Sequence, residues 1–487
     1  MFNLNEMQKE AIGLKFIMSQ LHSYSPYGKE EIKKITCFVP GSEQELEKEL
    51  DNIGRILKFK DDNPQHIERI VQCLTQFKNI WGIIKKIPDS TLNEVELFEI
   101  KGFLLDFAVF FETYENKDYN VDLWGIQFAE MTEALKILDP TSGGVAPFHI
   151  DSVYSQTLAQ IRQEKFKIER KIEFLEPDKK EEKERLLEQR RLLASQEEDE
   201  ELIVMQEITN NLRLYLDVFA RNMVAIGKLD LVLQKAYLAD CYNATRPKIG
   251  KNNISIVDVE NPYIAHFLAQ KGKKMTKISA RFDQGVTMIT GANMGGKSVA
   301  LKTIVLNAVL FQMGFFVFAK SAVLPLFHDI CLISEDMQDV EKGLSTFGAE
   351  IFYFNGIINK IRKSFMLLAI DEFARGTNPK EGAGIVNAIA TFLSAQNAIS
   401  IMTTHYDGVV QPNFGHYQVA GLTAFSANGI EQFREKAKTG LDFITEHMDY
   451  SLVQVNHNTE IPKDAVNICR IIELDEEVLK LIEGNIE

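Results

Sequence analysis

Apolar residues recur at the three-and-four spacing of a helix through the first part of the chain. One clear series is Leu46, Leu50, Ile53 and Leu57. Residues at this spacing share one face of a helix, so the pattern predicts an amphipathic helix with that face buried. Similar patterns continue to about residue 155, and the segment Thr141–Pro147 is the clearest turn among them. We therefore predict that this part of the chain is mainly helical.

The pattern changes to long, highly charged helices between residues 156 and 235. Residues 162–201 contain 11 Lys and Arg and 14 Asp and Glu, with almost no aromatic residues. Apolar residues keep the helical spacing up to Leu175, the spacing breaks at Glu176-Pro177-Asp178, and it resumes at Leu186. This predicts an antiparallel helical hairpin with its tip near Pro177. A solvated, charged arm without a partner explains the pattern equally well.

Three short runs of apolar and β-branched residues stand out in the second half of the chain. They are Val286–Thr290, Phe365–Ile370 and Ser400–Thr404. Continuous apolar runs of this length are typical of strands buried on both faces of a parallel sheet. The carboxyl ends of such strands meet at one edge, where ligands bind. We therefore predict an α/β domain whose functional residues follow these three strands.

A glycine-rich loop, Gly291–Ser298, follows the first of these runs and precedes an apolar helical segment, Val299–Leu310. A strand, a glycine-rich turn and a helix in this order form a phosphate-binding loop, in which backbone N–H groups surround phosphate oxygens. Lys297 would reach the β- and γ-phosphates of ATP, and the Ser298 hydroxyl would bind Mg²⁺. The alternative is a glycine-rich turn that does not bind phosphate and contains a Lys-Ser pair by chance. The predicted nucleotide-binding residues are Gly291, Ala292, Asn293, Met294, Gly295, Gly296, Lys297, Ser298 and Val299.

Acidic residues and a histidine follow the other two runs. Asp371 and Glu372 come directly after the second run, and His405 comes after the third. Asp371 can bind Mg²⁺, and Glu372 can act as a general base on the attacking water. His405 can sense the γ-phosphate or position the water, although an isolated histidine here is more often a plain strand-end residue. The predicted catalytic residues are Lys297, Glu372 and His405.

A further signal lies between the loop and the acidic pair. Gly343, Ser345 and Thr346 open a predicted helix that also carries Glu350. Hydroxyls and free N–H groups at a helix start can bind phosphate. Because the phosphate loop already fills this role within one subunit, a second phosphate-binding segment is useful only if it reaches the nucleotide of a neighbouring subunit. An ordinary helix cap at Ser345 is the alternative explanation.

These motifs together resemble the ATPase domain of MutS proteins, a branch of the ABC-type ATPases. The resemblance rests on Gly291–Ser298, Gly343–Phe347, Asp371–Thr377 and Thr404–Tyr406. It implies a dimer in which Ser345 contacts the partner's nucleotide and the loop Arg375–Glu381 crosses the interface. Two positions depart from the family pattern. Ala292 replaces the usual Pro, and Leu344 replaces a residue that is commonly basic.

Composition excludes some classes of protein. The five cysteines have no C-x-x-C spacing, which argues against a disulfide framework and a zinc site. Neither a secretion signal nor an apolar run of membrane-spanning length is visible, so a cytoplasmic protein without membrane association is expected. A net charge of −15 is unlike that of a dedicated nucleic-acid binder, which draws its affinity from clustered Lys and Arg.

The predicted organisation is an α-helical core (1–155), a lever arm of antiparallel coiled coil (156–235) and a MutS-type ATPase domain with C-terminal dimerisation helices (236–487). The resemblance implies a homodimeric ATPase, dependent on ATP and Mg²⁺, that acts on DNA in mismatch repair. The sequence opens in the helical core, so we expect no mismatch-reading domain. The alternative is an ATP-driven subunit that remodels a client enzyme, such as a cobalamin-dependent aminomutase, and does not act on DNA.

Overall fold

The computed structural model describes most of the chain. The described residues are 4–116, 118–119, 121–141, 143–144, 150–176, 178–291, 296–334, 346–421, 449–455, 469 and 474–486. The helices are α1 (Glu6–Ala11), α2 (Leu14–Ser19), α3 (Pro26–Lys33), α4 (Glu43–Asp62), α5 (Pro64–Gln76), α6 (Trp81–Lys86), α7 (Glu94–Tyr114), α8 (Thr132–Leu138), α9 (Gln156–Glu173), α10 (Lys180–Arg213), α11 (Leu216–Cys241), α12 (Pro262–Gln270), α13 (Lys297–Gln312), α14 (Thr346–Ile361), α15 (Pro379–Ser394) and α16 (Glu476–Ile486). The strands are β1 (Lys248–Ile249), β2 (Asn253–Val259), β3 (Ile278–Asp283), β4 (Gly285–Thr290), β5 (Ser321–Leu324), β6 (Asp329–Ile333), β7 (Met366–Ile370), β8 (Ala398–Thr403), β9 (Gly415–Gly421) and β10 (Asp449–Gln454). The chain is therefore mixed α/β: its described residues form helices and no strand before residue 248, and strands interleaved with helices after it.

Two compact units divide the chain. One contains Met1–Leu21, Ile35–Gly54 and Lys235–Glu487, and the other contains His22–Lys34 and Arg55–Gln234. The boundary after Gly54 falls inside α4 and the boundary after Gln234 falls inside α11. Neither unit is a single continuous stretch of sequence. The first unit holds the strands, and we call it the sheet unit. The second is helical in its described residues, and we call it the helical unit.

The series that predicted an amphipathic helix lies in α4, and three of its four residues are buried as expected. Leu46, Leu50 and Ile53 are fully buried, but Leu57 is only half-buried. Ile56 is buried in its place, at 2% exposure.

Aromatic side chains from α7, from α11 and from Phe77, just after α5, build the core of the helical unit. Phe103 stacks on Phe107 with ring centroids 6.0 Å apart, and it also packs against Phe77 at 5.4 Å and Phe219 at 6.0 Å. The helix α7 starts with a capping box, in which the Asn93 side chain accepts from the N–H of Glu96 and the Glu96 carboxylate accepts from that of Asn93.

Helices α9 and α10 lie side by side and antiparallel. The Arg162 guanidinium donates to Glu197 Oε1 at 2.8 Å and to Glu201 Oε1 at 2.6 Å, and Arg190 donates to Glu169 at 2.7 Å. These pairs account for part of the alternating charge in this segment. The predicted tip residue, Pro177, lies outside the described residues.

The larger sheet positions the candidate site. Among the described residues it contains six strands in the order β10-β9-β4-β8-β7-β6. Every neighbouring pair is parallel except β10 with β9, which is antiparallel. Strands β4, β6, β7 and β8 are buried at every position, as continuous apolar runs predict. A smaller sheet has the order β1-β5-β2-β3 and mixes parallel and antiparallel pairs.

Helix α13 is buried on nearly all sides, whereas the sequence pattern predicts a helix packed along one apolar face. The difference arises because other segments cover its polar residues. The Asn307 side chain donates to Glu260 O and accepts from the N–H of Phe318, and Gln312 donates to Phe38 O and Phe327 O. Hydrogen bonds of this kind allow polar side chains to be buried at low cost. Among all described residues, no helix is both long and apolar enough to cross a bilayer.

Candidate functional site

The ends of β4, β7 and β8 meet at one edge of the larger sheet. In the strand register, Ile289 of β4 pairs with Thr403 of β8, and Ile370 of β7 pairs with Met402 of β8. The residues that follow these strands therefore lie together, as in other open parallel sheets that bind ligands at this edge. This arrangement brings Gly291, Asp371 and the segment after Thr403 to the same place.

Two hydroxyl groups donate hydrogen bonds to the Asp371 carboxylate. Ser298 Oγ donates to Asp371 Oδ1 at 2.9 Å, and Thr403 Oγ1 donates to the same oxygen at 2.7 Å. Asp371 is only 6% exposed. Burial raises the pKa of this carboxyl, while the hydrogen bonds from Thr403 and Ser298 act in the opposite direction. A cation beside Asp371 would offset the cost of burying the charged form.

The oxygen atoms at this position fit Mg²⁺. A hydroxyl and a carboxylate in contact are hard ligands of the kind that Mg²⁺ prefers, and Mg²⁺ takes its other ligands from phosphates and water. No group of three or more His, Cys, Asp or Glu able to hold a metal exists in the part of the chain that the structure describes. Ser298 and Asp371 are therefore the residues suited to hold Mg²⁺ together with a bound triphosphate.

We predict that Asp371→Asn stabilises the protein. The amide keeps an oxygen to accept from Ser298 and Thr403, but it has no charge to bury. We expect the free energy of unfolding without added Mg²⁺ to rise by about 1 kcal/mol, measured by urea denaturation. Because the native pKa of Asp371 is raised, native protein binds this proton more tightly than unfolded protein, and the stability that Asp371 confers falls as the pH rises through that pKa. The gain in the variant should therefore be larger at pH 7 than at pH 4. An unchanged or lower stability at pH 7 would contradict this account.

Lys297 and Glu372 form a buried ion pair beside this oxygen cluster. The distance between Lys297 Nζ and Glu372 Oε1 is 3.2 Å, and the ammonium also donates to Gly291 O at 2.9 Å. Arg375 lies 3.3 Å from the other carboxylate oxygen of Glu372. Lys297 is 3% exposed and Glu372 is 9% exposed. The Glu372 N–H donates to Thr403 Oγ1 at 2.9 Å, so a single hydroxyl links Glu372 to Asp371.

A pocket of about 240 Å³ adjoins the start of α13. Its walls are largely apolar and come from α12, the segment before β3, α13 and β10. The lining residues are Ile264, Leu268, Lys273, Lys274, Met275, Thr276, Ile278, Gly296, Val299 and Tyr450. Gly296 has a φ of 83°, and a Cβ there would lie 2.7 Å from Tyr450 Cδ1, so glycine allows the phosphate loop to run close to the Tyr450 ring.

The sequence motifs did not identify Tyr450 as a functional residue. Tyr450 lies on the antiparallel strand β10, more than 150 positions after the phosphate loop. No local pattern around it indicates binding. Only the sheet order, which places β10 beside β9 and β9 beside β4, brings the strand toward the site.

The structure describes only some of the predicted site residues. Ala292, Asn293, Met294 and Gly295 of the phosphate loop, and Gly343 and Ser345 of the second phosphate-binding segment, lie outside the described residues. Helix α14 begins at Thr346. Val299 lies in the first turn of α13 and lines the pocket. His405 is half-buried two residues after β8, with its ring centroid 4.3 Å from that of Tyr406.

Comparison with known proteins agrees with this geometry. A family model for MutS domain V matches residues 287–473, which include the ends of all three strands. Residues 287–473 are therefore a segment of the MutS domain V type. The match begins in β4 and contains Lys297, Asp371 and Glu372. This segment of MutS-family proteins is their ATPase domain.

Curated relatives share this segment. Endonuclease MutS2 from Caldicellulosiruptor saccharolyticus is 36% identical over 205 residues, which is 42% of this chain and 25% of that protein. Endonuclease MutS2 from Pediococcus pentosaceus is 32% identical over 42% of this chain and 26% of its own length. Endonuclease MutS2 from Streptococcus pneumoniae is 31% identical over 47% of this chain and 28% of its own length. The matched segment thus spans about a quarter of each relative.

Proposed function

We propose that the chain is a MutS-family ATPase that hydrolyses ATP with Mg²⁺ and couples the nucleotide state to movement of helical arms. The observation that carries this proposal is the contact of Ser298 with Asp371 beside the pair of Lys297 and Glu372. These four side chains supply a metal site, a phosphate-binding cation and a carboxylate within one cluster. The match to MutS domain V supports the same activity.

In this mechanism each side chain has one task. Lys297 contacts the β- and γ-phosphates, and Ser298 and Asp371 hold Mg²⁺ against them. When bound, Mg²⁺ neutralises the charge that develops on the phosphate oxygens. Glu372 accepts a proton from the attacking water, and His405 senses the γ-phosphate or positions that water. The Thr403 hydroxyl keeps the two neighbouring acids in fixed positions, because it donates to Asp371 Oδ1 and accepts from the Glu372 N–H.

Two copies of the chain bind two nucleotides between them in this proposal. Gly343, Ser345 and Thr346 of one copy face the ATP of the other, and the loop Arg375–Glu381 crosses the interface. Binding closes the dimer and hydrolysis opens it. The paired helices α9 and α10 would then act as the lever arm that moves with each cycle.

The activity is tested by phosphate release from ATP in the presence of Mg²⁺ or of excess EDTA. We expect turnover only with Mg²⁺. The Asp371→Asn protein serves as the matched control, because it should fold at least as well as the parent and lose at least about 10²-fold of the rate. Equal rates with Mg²⁺ and with EDTA would exclude the proposed mechanism.

We further propose that the pocket beside Gly296 holds the adenine base, with Tyr450 against its ring. We predict that Tyr450→Ala raises the KM for ATP about 10-fold and leaves kcat within about twofold, because an aromatic contact contributes about 0.5–1.5 kcal/mol to binding. Tyr450→Phe keeps the ring and should behave like the parent. Steady-state kinetics of the three proteins measure this, and an unchanged KM in Tyr450→Ala would remove Tyr450 from the binding site.

Two classes of molecule are candidates for the target on which the helical arms act. The match to MutS domain V favours DNA, and on that ground we propose a role in mismatch repair. The net charge of −15 favours the alternative, a protein client such as a cobalamin-dependent aminomutase, because an acidic surface repels the phosphate backbone.

Stimulation of ATP turnover distinguishes these candidates. Duplex, branched and mismatched DNA would be added at low and at physiological salt, beside a purified aminomutase carrying inactivated cofactor. Stimulation by DNA that falls steeply with salt supports the first candidate. Stimulation by the enzyme alone supports the second.

A further inference from the structure

The segment that carries Glu372 has a strained backbone. Glu372 has a φ of 45° and Ala374 has a φ of 63°, and neither residue is glycine. Left-handed conformations of such residues cost on the order of 1–3 kcal/mol each and persist only where the surroundings hold them. Phe373 between them is 1% exposed and anchors the segment in the core. Other residues must therefore hold the backbone of this segment in place.

Both backbone polar groups of Ala374 are held by side chains from elsewhere in the sheet unit. The Ala374 N–H donates to Glu350 Oε2 at 2.9 Å, and Tyr406 Oη donates to Ala374 O at 2.8 Å. Glu350 lies on α14 and is 1% exposed, and Tyr406 follows β8 and is 8% exposed. Two buried side chains thus fix one residue, which lies two positions after Glu372.

The fold makes room for the Tyr406 hydroxyl. A Cβ on Gly382 of α15 would lie 2.3 Å from Tyr406 Oη and 3.2 Å from Ala374 O, so any larger residue would displace this hydrogen bond. Burial, and then the nearby carboxylates of Glu350 and Glu372, raise the pKa of the Tyr406 hydroxyl. The hydroxyl therefore stays protonated and remains a donor across the working pH range.

We propose that Glu350 and Tyr406 are positioning residues for Glu372. By holding Ala374 from both sides they keep the strained segment in the one conformation that places the Glu372 carboxylate against Lys297 and close to Asp371. The proposal rests on the proposed function, since it assumes that Glu372 activates the attacking water. It also links α14, the helix that directly follows Ser345 in the sequence, to the segment of the catalytic carboxylate.

Kinetics of Tyr406→Phe and of two Glu350 variants test this role. We expect Tyr406→Phe and Glu350→Ala to lower kcat by about 10- to 100-fold, because small displacements of a catalytic group have effects of this size. The Kd for ATP should stay within about twofold of the parent value, since neither Glu350 nor Tyr406 is among the residues that line the pocket. Glu350→Gln keeps an oxygen that can accept from Ala374 and should retain more activity than Glu350→Ala.

Tyr417→Phe is the matched control. The Tyr417 hydroxyl is also buried and also bridges backbone groups, accepting from the N–H of Arg281 at 2.8 Å and donating to its carbonyl at 3.2 Å. Its removal should lower the free energy of unfolding by about as much as Tyr406→Phe, with kcat unchanged. Equal losses of kcat in the two variants would show a general structural effect and overturn the proposal.

A double-mutant cycle separates this proposal from the proposed function. If Tyr406 acts through Glu372, then Tyr406→Phe should have no further effect on the residual single-turnover rate of Glu372→Gln. An additive loss would overturn the positioning role. If Glu372→Gln itself turned over at the parent rate, the assignment of the general base would fail instead, so the two failures are distinguishable.

Discussion

Replacing Glu372 by Gln is expected to lower the kcat for ATP hydrolysis by about 10²–10⁴-fold while ATP still binds with near-parental affinity. The amide has nearly the same shape and can still contact Lys297, so the phosphate-binding cluster should keep its geometry. It cannot accept a proton from the attacking water at neutral pH. The variant should therefore stay in the ATP-bound, closed form that the parent leaves after each turnover.

Single-turnover phosphate release and equilibrium binding of a fluorescent ATP analogue measure these two effects separately. Glu188→Gln is the matched control, because it makes the same chemical change on an exposed position of α10 and should behave like the parent. Turnover of Glu372→Gln at the parent rate would show that another group activates the water.

Replacing Lys297 by Ala is expected to raise the Kd for ATP by at least about 10²-fold. Charge-assisted hydrogen bonds contribute about 1.5–3 kcal/mol each, and Lys297 is placed to make more than one of them to phosphate oxygens. The side chain is 3% exposed and donates to Gly291 O, so its ammonium is already held at the loop. Its loss also removes the cation that lies 3.2 Å from Glu372 Oε1, while Arg375 still lies 3.3 Å from the other carboxylate oxygen.

Isothermal titration of ATP into both proteins measures this effect. Lys363→Ala is the matched control, since Lys363 is an exposed lysine just after α14 in the same unit. Because the two variants lose the same charge, a difference between them reports on position alone. Parental affinity in Lys297→Ala would mean that the triphosphate does not bind at this loop.

Local sequence patterns predicted three strands of the larger sheet, namely β4, β7 and β8. Strands buried on both faces need continuous apolar runs, so β4, β7 and β8 are visible in the sequence without knowledge of their neighbours. The functional residues follow these strands directly. The contact of Ser298 with Asp371 was thus predictable, because parallel strands in one sheet end at the same edge.

Contacts between distant segments could not be predicted in this way. Tyr450 reaches the pocket through an antiparallel edge strand, and the strand order that brings it there is not encoded in any local pattern. The hydrogen bond of Glu350 with Ala374 joins the interior of a helix to a strained turn, and neither the strain nor the partner has a sequence signature. The burial of α13 on nearly all sides depends likewise on segments far away in the sequence.

We propose above all that two copies of the chain hold ATP jointly. Sedimentation velocity of Glu372→Gln, with and without ATP and Mg²⁺, tests it most directly, because this variant binds the nucleotide and does not consume it. We predict dimers with ATP and Mg²⁺, and a lower dimer fraction after the nucleotide is removed. A chain that stays monomeric while saturated with ATP, and whose parent hydrolyses ATP at a rate per subunit independent of protein concentration, would contradict the claim.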